Sequence, residues 1–225
     1  MPRTKKAKFQ VEDERYAPLR PLTNKQGDYI KALTNSPQVV VMGPAGTGKT
    51  YIPGTMAADY YRTQTFNKII LTRPNVPAGR SIGFFPGTLE EKMANWVVPF
   101  TTVMKDRLGE GAYEIAVKRG DIEVVPFEVM RGRSWDNTFI VLDEAQNTTL
   151  AEMKMFLTRQ GENSKTVING DIRQSDLKED SGLSQIIRLI KRHKLPVPII
   201  EFGVDDIVRS GICKQWVETF VKEGL

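Results

Sequence analysis

The chain has 225 residues, enough for one substantial core, and its hydrophobic content of 40% and charged content of 26% are ordinary for a globular domain. The single cysteine, Cys213, excludes an intrachain disulfide, and the single histidine argues against a His/Cys metal site. The net charge of +5 is mild and no apolar run could cross a bilayer, so we expect a cytoplasmic protein without membrane contact (in the host cytoplasm if the chain is phage-encoded).

The N-terminal part of the chain predicts a tail, a helix and a strand. We expect residues 1–20 to form an irregular basic segment and residues 21–225 to form one domain. Thr23 to Gln26 matches a capping box, which predicts that a helix begins there. Residues 38–42 are almost entirely apolar and predict a short buried strand.

The rest of the chain alternates between strand and helix patterns. Strands are predicted at 68–72, 122–125, 138–142, 165–169 and 197–202. Helices are predicted after the first strand and its loop, from a capping box at 88–91, at 113–118, from a second capping box at 149–152, from Ser181, and in a C-terminal region with Ile212, Trp216 and Phe220 along one side. Residues 73–87 predict a long loop. Strands that alternate with helices imply an α/β domain whose mostly parallel sheet carries helices on both faces.

The segment after the first strand fits the phosphate-binding pattern G-x-x-x-x-G-K-[ST]. In such a loop the backbone N–H groups and the N-terminus of the following helix surround the phosphates of a nucleotide. Lys49 would reach the β- and γ-phosphates, and the Thr50 hydroxyl would hold Mg²⁺. The nucleotide-binding residues that we expect here are Gly43, Pro44, Ala45, Gly46, Thr47, Gly48, Lys49, Thr50 and Tyr51.

Polar residues follow later strands, where they would meet the loop at the carboxyl edge of the sheet. Asp143 would support Mg²⁺ and Glu144 would polarise an attacking water, although both could instead cap the next helix. Gln174 could hydrogen-bond the γ-phosphate or that water. Arg209 closes the run 205–209 and is either an arginine finger that stabilises transition-state charge or an ion-pair partner of the neighbouring acids.

Taken together, these segments closely resemble the PhoH family of P-loop ATPases. The matching segments, in chain order, are 43–50, 71–74, 83–87, 130–133, 139–147, 153–159, 170–174 and 206–209. The resemblance implies a single RecA-like domain, similar to the first motor domain of superfamily 1 helicases, with ATP and Mg²⁺ as ligands. Helicase activity on RNA has been proposed for relatives, so nucleic acid, with RNA favoured, is an implied partner.

The resemblance also implies roles that the patterns alone leave open. Gln26 falls where helicase-like proteins place an adenine-recognising glutamine, its alternative role being in the capping box. Arg73, Arg131 and Arg133 are candidates for nucleic-acid or phosphate contact, and the alternative for each is a surface or inter-subunit salt bridge. Ordinary helicases complete their site with a second RecA-like domain, which we do not expect in this chain. A homo-oligomer such as a hexameric ring, in which each subunit lends Arg209 to a neighbour, would supply the missing half.

Two positions depart from the family pattern. Asn169 stands where many relatives have threonine, a change that we expect to be harmless. Pro53-Gly54 interrupts a helix that is usually regular, and because proline removes a helical hydrogen bond we expect a kink or a distorted start there.

The sequence thus predicts a Mg²⁺-dependent ATPase that couples hydrolysis to the binding or remodelling of nucleic acid. Lys49, Glu144, Gln174 and Arg209 are the predicted catalytic residues. The alternative is a nucleotide-gated binding protein that hardly hydrolyses ATP and recruits a protein partner. A small-molecule kinase would share the loop, but the segments 143–146 and 170–174 form a helicase-like pair and no acceptor pocket is evident in the sequence.

Overall fold

A computed structural model describes residues 16–74, 97–174 and 180–223 of the chain. Most of the predicted N-terminal segment and of the loop at 73–87, and the whole capping box at 88–91, lie outside these residues. Within the described ranges, no helix is long and apolar enough to cross a membrane.

Strands and helices alternate along the described chain. The strands are β1 Gln38–Met42, β2 Lys68–Thr72, β3 Ile122–Val124, β4 Thr138–Leu142, β5 Lys165–Gly170 and β6 Ile199–Glu201. The α-helices are α1 Asn24–Asn35, α2 Tyr51–Arg62, α3 Val98–Leu108, α4 Glu110–Arg119, α5 Leu150–Leu157, α6 Gly182–His193 and α7 Gly211–Glu223. Short 3-10 helices cover Phe127–Met130, Ala145–Asn147, Ile172–Gln174 and Val204–Asp206.

The strands form one parallel sheet in the order β3-β2-β4-β5-β1-β6. Because every described pairing is parallel, the carboxyl ends of all these strands meet at one edge of the sheet. Strand β1 leads into the phosphate-binding loop at that edge, and β4, two positions away across β5, ends immediately before Asp143. The predicted α/β architecture with a parallel sheet is therefore confirmed.

The sheet is buried on both faces, which explains the continuous apolar runs of its central strands. Phe139 and Val141 of β4 pack with side chains of α1 to α4 in one hydrophobic cluster. Ile140 and Leu142, which point to the opposite face, pack with α5 and α6 in a second cluster. Alternating side chains of the same strand therefore pack into two cores, and the sheet lies between two helical layers.

Helix α3 packs closely against α2, and the apolar face of the helix predicted from the capping box at 88–91 reaches only as far as Phe100, near the start of α3. Gly54 permits this approach, because a Cβ added there would lie only 3.1 Å from Cγ1 of Val103. The glycine of the Pro53-Gly54 pair thus has a packing role. It brings α3, whose Val103 also lines the cavity beside the phosphate-binding loop, against the first half of α2.

The C-terminal helix α7 forms as predicted, but its apolar side does not reach the core. Ile212 is 62% exposed and Trp216 is 57% exposed. Trp216 stacks on Phe220 with ring centroids 5.6 Å apart. The last strand was predicted over 197–202 but is shorter in the structure, where β6 covers only Ile199–Glu201 at the edge of the sheet.

Candidate nucleotide-binding site

The four predicted catalytic residues and both predicted metal ligands line one cavity at the carboxyl edge of the sheet. Its volume is about 360 Å³. The predicted site residues in its wall are Ala45, Gly46, Gly48, Lys49, Thr50, Tyr51, Arg73, Asp143, Glu144, Gln174 and Arg209. Residues from the loop after β1 and from the segments after β2, β4, β5 and β6 therefore converge there, as expected for ligands of an open α/β sheet.

The phosphate-binding loop needs glycine where its backbone adopts positive φ against close neighbours. Gly48 has φ +94°, and a Cβ there would lie 3.0 Å from Nε2 of Gln26. Gly46 has φ +84° and lies directly under the side chain of Arg209. The buried Thr47 hydroxyl donates a hydrogen bond to the Pro44 carbonyl over 3.0 Å, which closes the loop on itself. The loop is therefore held in its bent shape by local contacts and by two more distant side chains.

The ammonium group of Lys49 lies inside the curve of the loop. Its Nζ donates to the carbonyl oxygens of Gly43 and, over 2.7 Å, of Pro44. Burial lowers the pKa of Lys49, and the carboxylates of Asp171, Asp143 and Glu144 oppose that effect. A charged amine surrounded by carbonyl dipoles and facing a cavity is a suitable partner for a phosphate.

Asp143 and Glu144 follow β4, and Asp143 is anchored by its backbone N–H, which donates to the Thr72 carbonyl over 2.9 Å. Burial raises the pKa of Asp143, the nearby Glu144 charge raises it further, and Arg73 and Lys49 oppose both effects. The Thr50 hydroxyl makes no capping hydrogen bond to α2 and lines the same cavity. A partly buried carboxylate and a hydroxyl beside a phosphate site suit Mg²⁺, which needs few protein ligands when phosphate oxygens and water complete its shell. No cluster of three or more His, Cys, Asp or Glu side chains suited to a metal occurs among the residues that the structure describes.

Glu144 adopts a strained backbone conformation, with φ 53° in the left-handed region. Its carboxylate accepts a hydrogen bond from Nε2 of Gln146 and lies 3.8 Å from the guanidinium of Arg73. Oε1 of Gln146 in turn accepts the backbone N–H of Asp171 over 3.0 Å. The buried Gln146 therefore connects the segments after β4 and β5, a role that the sequence patterns did not assign to it.

The segment after β5 bends into a 3-10 helix, Ile172–Gln174, at the cavity. Oδ1 of Asp171 accepts the N–H of Arg173 over 3.1 Å, and the Asp171 carbonyl accepts the N–H of Gln174 over 2.9 Å. This turn directs Gln174 to the cavity wall, where the sequence analysis expected it.

Arg209 lies on the phosphate-binding loop of its own chain. A Cβ added to Gly46 would be 2.7 Å from Cγ and Nε of Arg209, and the Val208 N–H donates to the Gly46 carbonyl over 2.9 Å. Asp206, one of the neighbouring acids, instead accepts the N–H of Gly203 over 2.9 Å. The geometry therefore places Arg209 beside the cavity without a second subunit, and the ring stays a prediction.

Gln26 is buried against the loop and is only partly the capping residue that the pattern suggests. The Thr23 hydroxyl accepts the N–H of Gln26, as in a capping box, but Oε1 of Gln26 accepts the N–H of Leu22 over 2.8 Å. Its Nε2 donates to the Thr47 carbonyl over 3.0 Å. The side chain thus ties the start of α1 to the phosphate-binding loop.

A second, mostly apolar cavity of about 240 Å³ adjoins Gln26. Its wall consists of Leu19, Arg20, Leu22, Gln26, Gly48, Tyr51, Ile52 and Val208. It shares Gly48 and Tyr51 with the first cavity, so the two lie side by side. Gln26 and Tyr51 were predicted to bind nucleotide, whereas Leu22 and Val208 were not, because apolar residues on separate segments carry no motif.

The three arginines proposed for nucleic-acid or phosphate contact are not brought together. Arg73 lines the first cavity. Arg133 forms an ion pair with Glu123 over 3.6 Å, and Glu123 also pairs with Lys68, the first residue of β2. Arg133 therefore lies toward the opposite, N-terminal edge of the sheet, and the exposed Arg131 is not part of the cavity wall.

Comparison with known proteins gives a consistent family match. A family model described as "PhoH: PhoH-like protein" matches residues 18–221. The chain is 41% identical over 207 residues to the PhoH-like protein of Bacillus subtilis (strain 168), an alignment that covers 91% of this chain and 65% of that protein. It is 38% identical over 208 residues to Protein PhoH of Escherichia coli (strain K12), with coverage of 91% and 58%. The chain therefore spans less than two thirds of the length of these two relatives.

Among solved structures, the Pif1 helicase from Candida albicans matches 92% of this chain and 44% of its own, at 14% sequence identity and a TM-score of 0.47. The family match extends from before α1 into α7, and so includes the phosphate-binding loop and each described segment that lines the cavity. The chain belongs to the PhoH-like protein family.

Proposed function

We propose that this protein is a Mg²⁺-dependent ATPase that couples hydrolysis to the binding or remodelling of nucleic acid, with RNA as the favoured polynucleotide. The observation that carries the proposal is the single cavity in which Lys49, Asp143, Glu144, Gln174 and Arg209 meet. These residues lie far apart in the sequence, and each brings a function that phosphoryl transfer to water requires.

The residues at the phosphate end divide into binding and chemical roles. Lys49 would exchange its two loop carbonyls for the β- and γ-phosphate oxygens of ATP. Thr50 and Asp143 would hold Mg²⁺, which when bound neutralises charge on the β- and γ-phosphates. Glu144 would orient and deprotonate the attacking water, and Gln174 would contact the γ-phosphate or that water.

The apolar cavity beside Gln26 would receive the base of the nucleotide. It adjoins the phosphate cavity at Gly48 and Tyr51, and its mostly apolar wall suits a purine ring. The contacts of Gln26 with Leu22 and Thr47 leave one amide N–H and one oxygen lone pair for an adenine edge. A base bound in this cavity would therefore contact Gln26, whose amide holds the Thr47 carbonyl inside the phosphate-binding loop.

The coupling to nucleic acid is supported by family membership and by a net charge of +5, which suits a polyanionic partner. One observation favours the alternative of a nucleotide-gated binding protein. The Glu144 carboxylate is already engaged by Gln146 and by Arg73, so it must be released or redirected before it can activate water. A protein in which that release is rare would bind ATP and turn it over slowly.

The test is steady-state ATP hydrolysis with Mg²⁺ at low salt, with and without single-stranded RNA, for the wild type and for Glu144→Gln. Low salt is needed because phosphate contacts weaken steeply as salt rises. The amide of the variant can still accept from Gln146, so the fold and ATP affinity should persist while hydrolysis falls at least about 100-fold. Glu162→Gln, the same change at an exposed site outside the cavity, is the matched control.

The outcomes separate the candidate functions. RNA-stimulated hydrolysis that disappears in Glu144→Gln but persists in Glu162→Gln supports the proposal. Tight ATP binding without turnover under any polynucleotide condition favours the binding protein. Wild-type turnover in Glu144→Gln would contradict the proposed role of Glu144.

A further inference from the structure

Helix α2 begins with one hydrogen bond missing from its ladder. The Ile52 N–H donates to the Gly48 carbonyl over 3.0 Å, and the Gly54 N–H donates to the Thr50 carbonyl over 3.1 Å. The bond between them would join residue 53 to the carbonyl of Lys49, but Pro53 has no N–H. Pro53 therefore leaves the Lys49 carbonyl without its helical donor, whereas the helix itself runs without interruption over Tyr51–Arg62.

A side chain from the sheet supplies the missing donor. Nδ2 of Asn169, in β5, donates to the Lys49 carbonyl over 2.9 Å. The Tyr29 hydroxyl of α1 lies 3.4 Å from that carbonyl and 3.4 Å from Oδ1 of Asn169. The hydroxyl has one proton for two distant acceptors, so the amide of Asn169 is the principal partner.

Two side chains of the cluster are fully buried, which makes the hydrogen bond consequential. Asn169 and Tyr29 are both 0% exposed. A carbonyl beside such buried side chains that loses its principal donor is left with a desolvation penalty. The orientation of the amide is also fixed, since the Lys49 carbonyl can only accept and the nitrogen must therefore face it.

We propose that Asn169 is a positioning residue of the phosphate-binding loop, which replaces the hydrogen bond that Pro53 removes and so fixes the peptide that follows Lys49. This inference rests on the proposed function in so far as that peptide faces a nucleotide phosphate. The N–H of this peptide belongs to Thr50, so the rotation that presents it to the cavity is set by the same carbonyl that Asn169 holds. Asn169 also immediately precedes Gly170 and Asp171, so the bond ties the β5 edge to the loop.

The inference makes Pro53 and Asn169 a coupled pair. Asn169 matters because residue 53 is proline, so restoring an N–H at residue 53 should make Asn169 dispensable. The change Pro53→Ala does this without adding bulk, since alanine can occupy the helix and donate to the Lys49 carbonyl.

The experiment is a double-mutant cycle with Asn169→Leu, Pro53→Ala and the double variant. Two quantities are measured: the folding equilibrium constant of the nucleotide-free protein in urea, and the affinity for a non-hydrolysable ATP analogue with Mg²⁺ at a temperature where all variants are folded. The matched control is Thr166→Val, which removes another buried hydrogen bond of β5, from the Thr166 hydroxyl to Oε1 of Gln160 over 2.8 Å.

Asn169→Leu should lower the folding equilibrium constant by about 5- to 150-fold and lower the affinity for the ATP analogue at least about fivefold. In the Pro53→Ala background both losses should shrink to within about threefold. Thr166→Val should lower the folding equilibrium constant and leave the affinity for the ATP analogue unchanged. Its effect on folding should be the same in the wild-type and Pro53→Ala backgrounds.

The proposal is overturned if Asn169→Leu lowers the folding equilibrium constant and the analogue affinity equally in the wild-type and Pro53→Ala backgrounds. If Asn169→Leu alone does not fold, folding of the double variant supports the proposal and its failure to fold overturns it. If the wild type binds no ATP analogue, the proposed function fails, whereas the urea cycle still decides whether Asn169 and Pro53 are coupled.

Discussion

The position of Arg209 on its own phosphate-binding loop predicts that it acts on the nucleotide of the same chain. The stem of the side chain runs across Gly46, with Cγ, Cδ and Nε all 2.7 to 2.8 Å from the point that a Cβ of that glycine would occupy. The N–H of Val208, the residue before Arg209, donates to the Gly46 carbonyl. Arg209 is therefore held on the loop by the backbone as well as by its side chain. The perturbation is Arg209→Ala, with Arg209→Lys as the variant that keeps the charge.

The expected magnitude follows from where the guanidinium can reach. Arg209 and Lys49 line the same cavity, so both cations can face the terminal phosphate. An arginine that stabilises the charge of phosphoryl transfer contributes about 10³-fold or more to kcat, or about 4 kcal/mol. Arg209→Ala should therefore lower kcat by about this factor and raise the KM for ATP much less. Arg209→Lys should recover only a small part, because lysine lacks the planar fork of donors.

The assay that decides between the same chain and a neighbour mixes two inactive variants. Arg209→Ala keeps Lys49, and Lys49→Ala keeps Arg209. If Arg209 acts within its own chain, an equal mixture has no more activity than the separate proteins. If a neighbour donates it in a ring, random assembly restores about a quarter of wild-type hydrolysis. That recovery would refute the reasoning from the loop contact.

Three further changes test other contacts of the site and fold. Gln146→Leu should raise kcat by up to about tenfold with ATP affinity nearly unchanged, because it frees the Glu144 carboxylate, which must leave Gln146 before it can activate water, without touching a phosphate contact; an unchanged or lower kcat would contradict this reasoning. Gly48→Ala should weaken an ATP analogue at least about tenfold by calorimetry, since the new Cβ meets Gln26 at positive φ, and undiminished affinity would count against the loop geometry. Lys165→Met should lower the free energy of unfolding in urea by about 1–3 kcal/mol, because the buried ammonium donates to three carbonyls at the end of α1; a smaller change would make that contact dispensable. Burial lowers the pKa of Lys165 in the folded protein below its ordinary value of 10.5, which it keeps in the unfolded chain. Between these two pKa values the unfolded chain binds more protons than the folded protein, so the stability of the wild type should rise with pH in that range. The Lys165→Met variant should lack this rise.

The sequence was sufficient for those parts of the fold that local patterns encode. Residues 38–42, 68–72 and 138–142 are strands with the predicted bounds, because short apolar runs between polar segments are the local signature of a buried parallel strand. The capping box at 149–152 is present with both of its hydrogen bonds. The cavity residues were also predictable in kind, since the carboxyl ends of parallel strands meet at one edge of the sheet.

Features that depend on contact between distant segments were not predictable. The apolar side of α7 reads like a core face, yet Trp216 is largely exposed because the sheet is already covered without it. The pattern for Gln26 describes only its own helix, whereas the structure adds a bond to Thr47 in the phosphate-binding loop. Arg209 carries no local sign of which loop it rests on. In each case the deciding partner is more than 20 residues away or absent.

Pro53 and Asn169 show why such partners are best sought in pairs. Taken alone, the proline costs a helical hydrogen bond, and the asparagine buries an amide at the end of a strand. Each residue is unfavourable by a local rule, yet the 2.9 Å bond pairs the buried amide of Asn169 with the Lys49 carbonyl, which Pro53 leaves without a helical donor. In a folded protein, a group that loses its local hydrogen-bond partner can be satisfied by a distant one. Here that group is the backbone carbonyl of Lys49, the lysine that would bind phosphate. The pair therefore links the start of α2 to β5 through a contact that neither segment predicts by itself.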